Sequence, residues 1–222
     1  MAIKGLLLRR TFWFQTGRFK EIQFKDCTLL KKLIMLRALH SELDRYPKLT
    51  IDNCILRHRI TINSYCRIKI TNSALNSTAR YALVARRGET EIEKCTIIGR
   101  VRIKTLLASE SIFIDPVIVI NPQKGCVRYS RITKTGNSLP RLYKCTRSYV
   151  TFCSDLPWHS AYLKLKRHCG EDVVHWAENG GEIGVYHKAD YSLKQTNLNI
   201  KFEEYLPVGL EPVLIDMGCE HP

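Results

Sequence analysis

The sequence contains no long run of apolar residues, and this limits the class of protein that it can encode. No stretch is long enough to cross a bilayer as a helix. The first ten residues hold only a very short apolar core, without the h-region and cleavage site of a signal peptide. Hydrophobic residues make up 45% and charged residues 25% of the chain, which is ordinary for a globular protein in water. We therefore expect a cytoplasmic product.

The sequence also lacks the paired spacing of Cys and His that makes a zinc site recognisable. Its nine Cys include no C-x₂-C pair, and its His residues include no H-x₃₋₅-H pair. A structural zinc remains the alternative for one irregular segment, which holds Cys145, Cys153, His159, His168, Cys169 and His175. We predict no metal and no cofactor, and we expect thiols that are reduced and mostly buried.

Acidic residues are scarce in the first half of the chain. Residues 1–105 hold 22 Lys and Arg against 8 Asp and Glu, a net charge of +14, which equals the net charge of the whole chain. Residues 106–222 hold 13 of each sign. A concentrated basic charge indicates a surface for an anionic partner, but it carries no information about the fold.

A short phrase recurs five times in the first half, at 22–29, 49–56, 68–75, 90–97 and 106–113. Each copy has an apolar residue, then a polar residue, then Cys or Ser, then a second apolar residue. In register, the copies give the columns Phe24/Ile51/Ile70/Ile92/Ala108, Cys27/Cys54/Ser73/Cys95/Ser111 and Leu29/Leu56/Leu75/Ile97/Phe113. The Cys/Ser positions are 27, 19, 22 and 16 residues apart. Such self-similarity is typical of stacked structural repeats, with the small residues at a tight corner.

Alternating runs around 60–62, 101–103 and 117–119 follow the phrase, so each repeat contains at least two short strands. The sequence predicts a mainly β fold, a right-handed parallel β-helix or solenoid. It has an irregular segment and a C-terminal α-helix as a cap. A β-sandwich of short strands is the alternative. Residues 31–46 fit either a helix or a further strand pair.

Alternation also predicts which side chains of the basic strands face solvent. The apolar residues Ile60, Ile62, Ile68, Ile70, Val101 and Ile103 are expected to point inward. The outward set is Arg57, Arg59, Arg67, Lys69, Arg100, Arg102 and Lys104. Stacking would bring this set into one basic ladder if the strands share a face. The ladder is either a polyanion-binding or partner-binding surface, or a solvated face that keeps neighbouring molecules apart.

The repeat period is expected to break down from Pro116, with a last strand-like phrase at 126–130. We divide the chain into parallel β-helix repeats at 1–130 and an irregular capping region at 131–222. A helix is predicted at about 190–206, with Asp190 or Ser192 as its cap and Pro207 and Gly209 at its end. Its apolar stripe would be Leu198, Phe202, Tyr205 and Leu206, packed against the open end of the repeats.

Four phrases of the second half occur in a fixed order. They are Gly-Cys-Val-Arg-Tyr-Ser at 125–130, Leu-Pro-Arg-Leu-Tyr-Lys-Cys at 139–145, Gly-Glu-Ile-Gly at 181–184 followed by His187, and Glu-Tyr-Leu-Pro-Val-Gly-Leu-Glu at 204–211. This order resembles the C-terminal β-helix region of bacterial phage-tail-like proteins associated with contractile injection systems. The resemblance covers about residues 90–215. The sequence departs from that pattern at 178–179, Gly181, Ile183 and 190–195.

The resemblance implies that the chain is a separated C-terminal piece of a larger β-helix protein. It also implies a structural cluster of Cys126, Cys145 and Cys169, which match Cys positions of the family. Glu182 and His187 are the polar residues of the family motif. They either orient a loop or bind a ligand, or they are satisfied structural residues, and we favour the structural interpretation.

No catalytic constellation stands out. Glycoside hydrolysis needs two carboxylates that face one groove. Glu91 and Glu93 both point outward in the predicted strand, and we interpret them as solvated charges beside Arg86 and Arg87. Clustered acidic oxygens for calcium are absent from the sequence pattern. We therefore predict no enzymatic activity.

The sequence favours a non-enzymatic structural or binding component of a phage-tail-like assembly, whose basic solenoid face contacts protein subunits of the particle. A carbohydrate-active β-helix that binds or cleaves an acidic polysaccharide is the alternative. Nucleic acid is the least expected partner, because aromatic residues are not interleaved with the basic strands as stacking platforms.

Overall fold

The computed structural model describes residues 1–15, 19–36, 47–166, 168–189, 191–207 and 209–210. The fold is mainly β, and its strands form one curled sheet in which every pairing of strands is parallel. The strands are β1 (Ala2–Lys4), β2 (Leu7–Leu8), β3 (Phe12–Gln15), β4 (Glu21–Lys25), β5 (Thr28–Leu29), β6 (Leu33–Leu36), β7 (Lys48–Asp52), β8 (Ile55–Leu56), β9 (Ile60–Ile62), β10 (Arg67–Thr71), β11 (Ala74–Glu93), β12 (Thr96–Ser109), β13 (Ile112–Phe113), β14 (Val117–Val119), β15 (Gly125–Arg128) and β16 (Arg141–Tyr143). Two helices follow, α1 (Glu171–His175) and α2 (Tyr191–Tyr205).

The pairings form three ladders. The first ladder runs β1, β4, β7, β10, the end of β11, the end of β12, β15 and β16. The second runs β2, β5, β8, the starts of β11 and β12, and β13. The third runs β3, β6, β9, the middles of β11 and β12, and β14. The long strands β11 and β12 therefore contribute to all three ladders.

The predicted register is confirmed. Phe24 pairs with Ile51, and the same column continues through Ile70, Ile92 and Ala108 on the first ladder. The column from Leu29 to Phe113 continues in the same way on the second ladder. All of these side chains are buried in one apolar core. Each large side chain removed from water contributes about 1.5–3 kcal/mol, so the two columns hold the repeats in register.

A tight corner joins the first and second ladders in each repeat. The residue at the corner has a left-handed backbone at Asp26, Asn53, Asn72, Lys94 and Glu110, with φ from 48 to 54°. The small residue that follows satisfies the backbone: the Cys54 N–H donates to Ser73 Oγ at 3.0 Å, and Ser73 Oγ donates to the Thr71 carbonyl at 2.6 Å. A side chain that both donates and accepts is needed here, which explains why the column contains only Cys and Ser.

The repeat continues beyond Pro116: the strand-like phrase predicted at 126–130 forms β15, and β16 adds a further strand after residue 130, where no repeat was predicted. Val127 pairs with Ala108 and then with Leu142, so β15 and β16 extend the first ladder. Tyr129 and Lys144 have the left-handed corner conformation, with φ of 47 and 45°. Ser130 and Cys145 then occupy the small-residue column, because their side chains donate to the carbonyls of Arg128 and Tyr143.

Residues 150–166 and 168–187 fold back over the outer surface of the second ladder. Ala74 is buried against Tyr162 and Leu163, and Ile112 is buried against Val173. Gly184 lies so close that an added Cβ would be 2.8 Å from Ile112 Cδ1. The irregular segment therefore shields one side of the sheet with little regular structure of its own.

The C-terminal helix forms where the sequence predicts it, but its apolar residues are not packed as expected. The exposed fractions of Leu198, Phe202 and Tyr205 are 44%, 38% and 83%. The predicted stripe therefore does not close the end of the sheet. Asp190 and residues 37–46, for which the sequence made predictions, lie outside the described residues, and so does the Ser192 side chain.

Neither helix in the described part of the chain is long and apolar enough to span a membrane.

Candidate functional site

The seven predicted basic residues fall on two different surfaces. Arg67 and Lys69 belong to β10 on the first ladder. The other five lie on the third ladder and in the turns beside it: Arg57, Arg59, Arg100, Arg102 and Lys104. We call these five residues the third-ladder face. The single basic ladder that alternation suggested is therefore split in two.

On the first ladder, cations of one repeat pair with acids of the next repeat. Lys69 Nζ lies 2.9 Å from Glu91 Oε1 and 3.6 Å from Glu93 Oε2. Arg67 Nε lies 3.4 Å from Glu89 Oε2. The hydrogen bond from Lys69 to Glu91 raises the pKa of the Lys69 ammonium despite its partial burial. This outer surface is therefore close to charge-balanced.

The same contacts explain Glu91 and Glu93, the one carboxylate pair considered for catalysis. Both carboxylates bind the Lys69 ammonium, and both residues also line an open cleft of ≈ 300 Å³ whose other charged residue is Arg128. Their neighbour is thus Lys69 of the preceding repeat, and the interpretation as solvated charges beside Arg86 and Arg87 named the wrong cations.

The third-ladder face has no such balance. The sequence carries no Asp or Glu at 53–88 or at 94–109, the stretches that hold these five cations. Asp115, which precedes β14, accepts a hydrogen bond from the Gly99 N–H at 2.8 Å. None of the five cations forms an ion pair with another described residue. The Nε atoms of Arg57, Arg59 and Arg102 are buried and have no hydrogen-bond acceptor within the described ranges. A buried donor without an acceptor is costly, and no described group offsets that cost at these three atoms.

Aromatic rings border the third-ladder face. Arg57 Cζ lies 5.2 Å from the ring centroid of Trp158, and Lys104 Nζ lies 5.2 Å from that of Tyr65. Arg87 is a second cation beside Tyr65, at 6.0 Å. Trp158 and Tyr65 have exposed fractions of 74% and 43%. Aromatic and basic residues are thus brought together by folding, although they are separate in the sequence.

Tyr65 also lines a cleft of ≈ 270 Å³ between the two surfaces, together with Arg67, Lys104 and Lys124. Gly88 forms part of its wall with φ +92°, and an added Cβ would lie 2.0 Å from the Cys66 carbonyl oxygen. Only glycine permits this close approach. The cleft places one cation from each of the two predicted groups at a common opening.

Glu182 and His187 lie in the buried junction between the irregular segment and the corner column. His187 Nδ1 is 2.9 Å from the Glu182 carbonyl oxygen, and Nε2 is 3.8 Å from Glu110 Oε1. Glu110 also accepts a hydrogen bond from the Glu178 N–H at 3.1 Å, and it pairs with Lys94 Nζ at 3.5 Å. These contacts hold the irregular segment against the sheet, and both His187 and Glu110 are buried.

A wider groove of ≈ 710 Å³ follows the corner column next to this junction, lined in part by Asp26, Asn53, Asp52 and Asn72. Asn53 Nδ2 donates to Asp26 Oδ1 at 2.6 Å, and Asn72 Nδ2 donates to Asp52 Oδ1 at 2.9 Å. Burial alone would raise the pKa of Asp52, but the hydrogen bonds from Thr71 and Asn72 outweigh it and lower the pKa. These carboxylates are held by neighbouring repeats and contribute to the stacking.

The three Cys residues grouped by the resemblance have different environments. Cys145 Sγ donates to the Val127 carbonyl, whereas Cys169 Sγ donates to the Thr151 carbonyl. Cys126 lies on β15 and is half-buried. In the part of the chain that the structure describes, no group of three His, Cys, Asp or Glu is placed to hold a metal ion.

Most thiols are free and protected by burial. Burial raises the pKa of Cys54, Cys66 and Cys95 to about 12. Cys153 is disulfide-bonded, so the expectation of reduced thiols is wrong for that residue.

Comparison of the chain with protein-family models, with curated proteins and with solved structures finds no match. What the chain does must therefore be argued from the two unequal basic surfaces.

Proposed function

We propose that the chain is a right-handed parallel β-helix that acts as a non-enzymatic structural or binding component, and that it contacts an anionic partner through the third-ladder face. The three ladders of parallel strands support the fold, since each repeat adds one strand to each ladder. Right-handed connections between parallel strands are strongly preferred. The resemblance of the second half to phage-tail-like proteins suggests the setting, in which subunits of the particle are the partners.

The observation that carries this proposal is that the described residues form no ion pair with the cations of the third-ladder face, whereas those of the first ladder do. Five cations without an ion pair produce a positive potential that attracts an anionic surface. Arg is also well suited to such contacts, because its planar guanidinium binds a carboxylate or phosphate through two hydrogen bonds.

The test is recovery of bound partners by a tagged chain from its native host. We expect sheath-type, tube-type or baseplate-type subunits to copurify at low salt and to be lost as the salt concentration rises. The double variant Arg100→Gln/Arg102→Gln should lose them at low salt. The matched variant Lys48→Gln/Lys69→Gln removes the same number of charges from the ion-paired first ladder, where Lys48 Nζ lies 3.2 Å from Glu21 Oε1, and should retain them.

Equal losses in the two double variants would mean that the third-ladder face has no special part in binding. Recovery of the chain without any subunit of a particle would contradict the proposal that it belongs to a phage-tail-like assembly.

A further inference from the structure

We infer that the anionic partner of the third-ladder face is a single-stranded nucleic acid. This inference rests on the proposed function in one respect, that the third-ladder face is the binding surface. It differs in the class of partner, because a feature of the folded chain points away from a purely acidic protein surface.

That feature is the pairing of exposed rings with unbalanced cations at both borders of the face. Trp158 stands beside Arg57 at one border, and Tyr65 stands beside Lys104 and Arg87 at the other. A single-stranded nucleic acid uses both parts of such a pair, since its phosphates contact the cation and its bases stack on the ring. An acidic protein surface would use the cations and would not need the rings.

The order of the cations also suits an extended chain. Lys32, Arg59 and Arg100 each precede an inward residue of the third ladder, namely Leu33, Ile60 and Val101. Leu33 pairs with Ile60, and Ile60 is connected to Val101 through Leu83. Because neighbouring strands lie about 4.8 Å apart, the three cations form a row that spans roughly 14 Å across the strands. Phosphates of an extended strand can follow such a row.

The arginines of the face carry guanidinium groups that form no ion pair with another described residue. Arg59 belongs to this row, Arg102 lies one outward position further along β12, and Arg57 lies at the border. Phosphate oxygens accept from guanidinium donors in a fork geometry. The stretches that hold these arginines, 53–88 and 94–109, contain no acidic residue, and Asp115 beside them is engaged by the Gly99 N–H at 2.8 Å.

The sequence alone argued against this partner, since aromatic residues are not interleaved with the basic strands. The structure removes that objection. Trp158 comes from the irregular segment, far along the chain from Arg57, and Tyr65 comes from the turn before β10.

The experiment measures binding of the full chain to a fluorescent oligo-dT, an oligo-U and a duplex of the same length, with polyglutamate as the acidic competitor. We expect both single strands to bind, with an affinity that falls as salt rises. Each phosphate contact contributes about −0.7 to the slope of log K against log salt. Arg100→Gln/Arg102→Gln should therefore reduce the slope by about 1.4, and Lys48→Gln/Lys69→Gln on the ion-paired first ladder should leave it unchanged.

The aromatic variants test the class of partner. Trp158→Ala and Tyr65→Ala should each weaken oligo-dT binding about 5- to 100-fold, and Trp158→Phe should bind nearly as the parent does. None of these three should change how strongly polyglutamate binds. Circular dichroism and thermal unfolding establish that each variant is folded, and Trp158 is exposed enough that its removal should not affect folding.

The outcomes separate the two proposals. Aromatic-dependent binding of single strands supports the inference. Equal binding of oligo-dT and polyglutamate, with no effect of the aromatic variants, overturns the inference and leaves the basic face as a general anion surface. If no polyanion binds and Arg100→Gln/Arg102→Gln still recovers all partners from the host, both the inference and the proposed function fail.

Discussion

The outer surfaces of the first and third ladders are built from the same long strands, β11 and β12, yet their charges are organised in opposite ways. On the first ladder, Lys69 of one repeat meets Glu91 and Glu93 of the next repeat. On the third ladder, Arg102 has Val84 and Ile118 as its register partners. Whether a surface cation is neutralised is thus decided by the neighbouring repeat.

This difference separates two roles for basic residues in a stacked fold. Exposed ion pairs are each worth about 0.2–1 kcal/mol, so the first-ladder pairs contribute modestly to the stacking of repeats. The unpaired cations of the third ladder repel one another and make no such contribution. They are retained at a small cost in stability, which is the pattern expected for a surface that has a binding role.

The largest difference between the two surfaces is expected when one charge is reversed on each of them. Lys69→Glu would place three carboxylates together and should lower the free energy of unfolding by about 1–2 kcal/mol. Arg102→Glu would place a carboxylate among cations, and this gain should offset its lost packing to within about 0.5 kcal/mol. Urea unfolding at low salt measures both values. An equal loss for the two variants would show that the surfaces are electrostatically alike.

A change of ionic strength should produce a smaller difference in stability between variants of the two surfaces. Arg100→Gln/Arg102→Gln should be more stable than the parent by about 0.5 kcal/mol at low salt, because like charges are removed. Screening at about 0.5 M salt should abolish that advantage. Arg67→Gln/Lys69→Gln should show the reverse, with a deficit at low salt that shrinks as salt is added. Thermal unfolding at several salt concentrations follows both differences, and parallel curves for the two variants would refute the assignment of charges.

The parts of the fold that could be predicted from the sequence depend on short-range periodicity. The columns from Phe24 to Ala108 and from Leu29 to Phe113 follow from apolar residues at fixed offsets around a Cys or Ser. The strand-like phrase at 126–130 was predicted, but Ser130 and Cys145 were not assigned to the Cys/Ser column that they continue. Their corner residues are Tyr129 and Lys144, and a bulky Tyr at positive φ is uncommon. The phrase around Val127 nevertheless has the same spacing as the one around Ile92, so the signal was present.

The division of the basic residues could have been predicted, but the aromatic border could not. Arg67 and Lys69 flank the repeated phrase, whereas Arg100 and Arg102 flank the second alternating run, and this distinction already places them on different ladders. Alternation alone reports only inward and outward. Trp158 is brought to Arg57 by the fold of an irregular segment, where no periodicity exists to predict it.

The smallest predicted effect is a dependence on alkaline pH that only the first ladder should show. The Lys69 pKa is raised from 10.5 by its hydrogen bond to Glu91, so its contribution to stability is complete below 10.5 and is lost as pH rises through the raised value. The difference in unfolding free energy between the parent and Lys69→Gln, about 0.5–1 kcal/mol near neutrality, should therefore shrink in that range.

Arg102→Gln is the matched control for this titration, because Arg stays protonated throughout and its difference from the parent should not change over the same pH range. The buried thiols of Cys54, Cys66 and Cys95 also destabilise the fold above their ordinary value of 9.0, since they ionise more readily in the unfolded chain. That loss is common to the parent and both variants and cancels in each difference. A Lys69→Gln difference that stays constant to the highest pH would mean that the Lys69–Glu91 pair does not stabilise the first ladder.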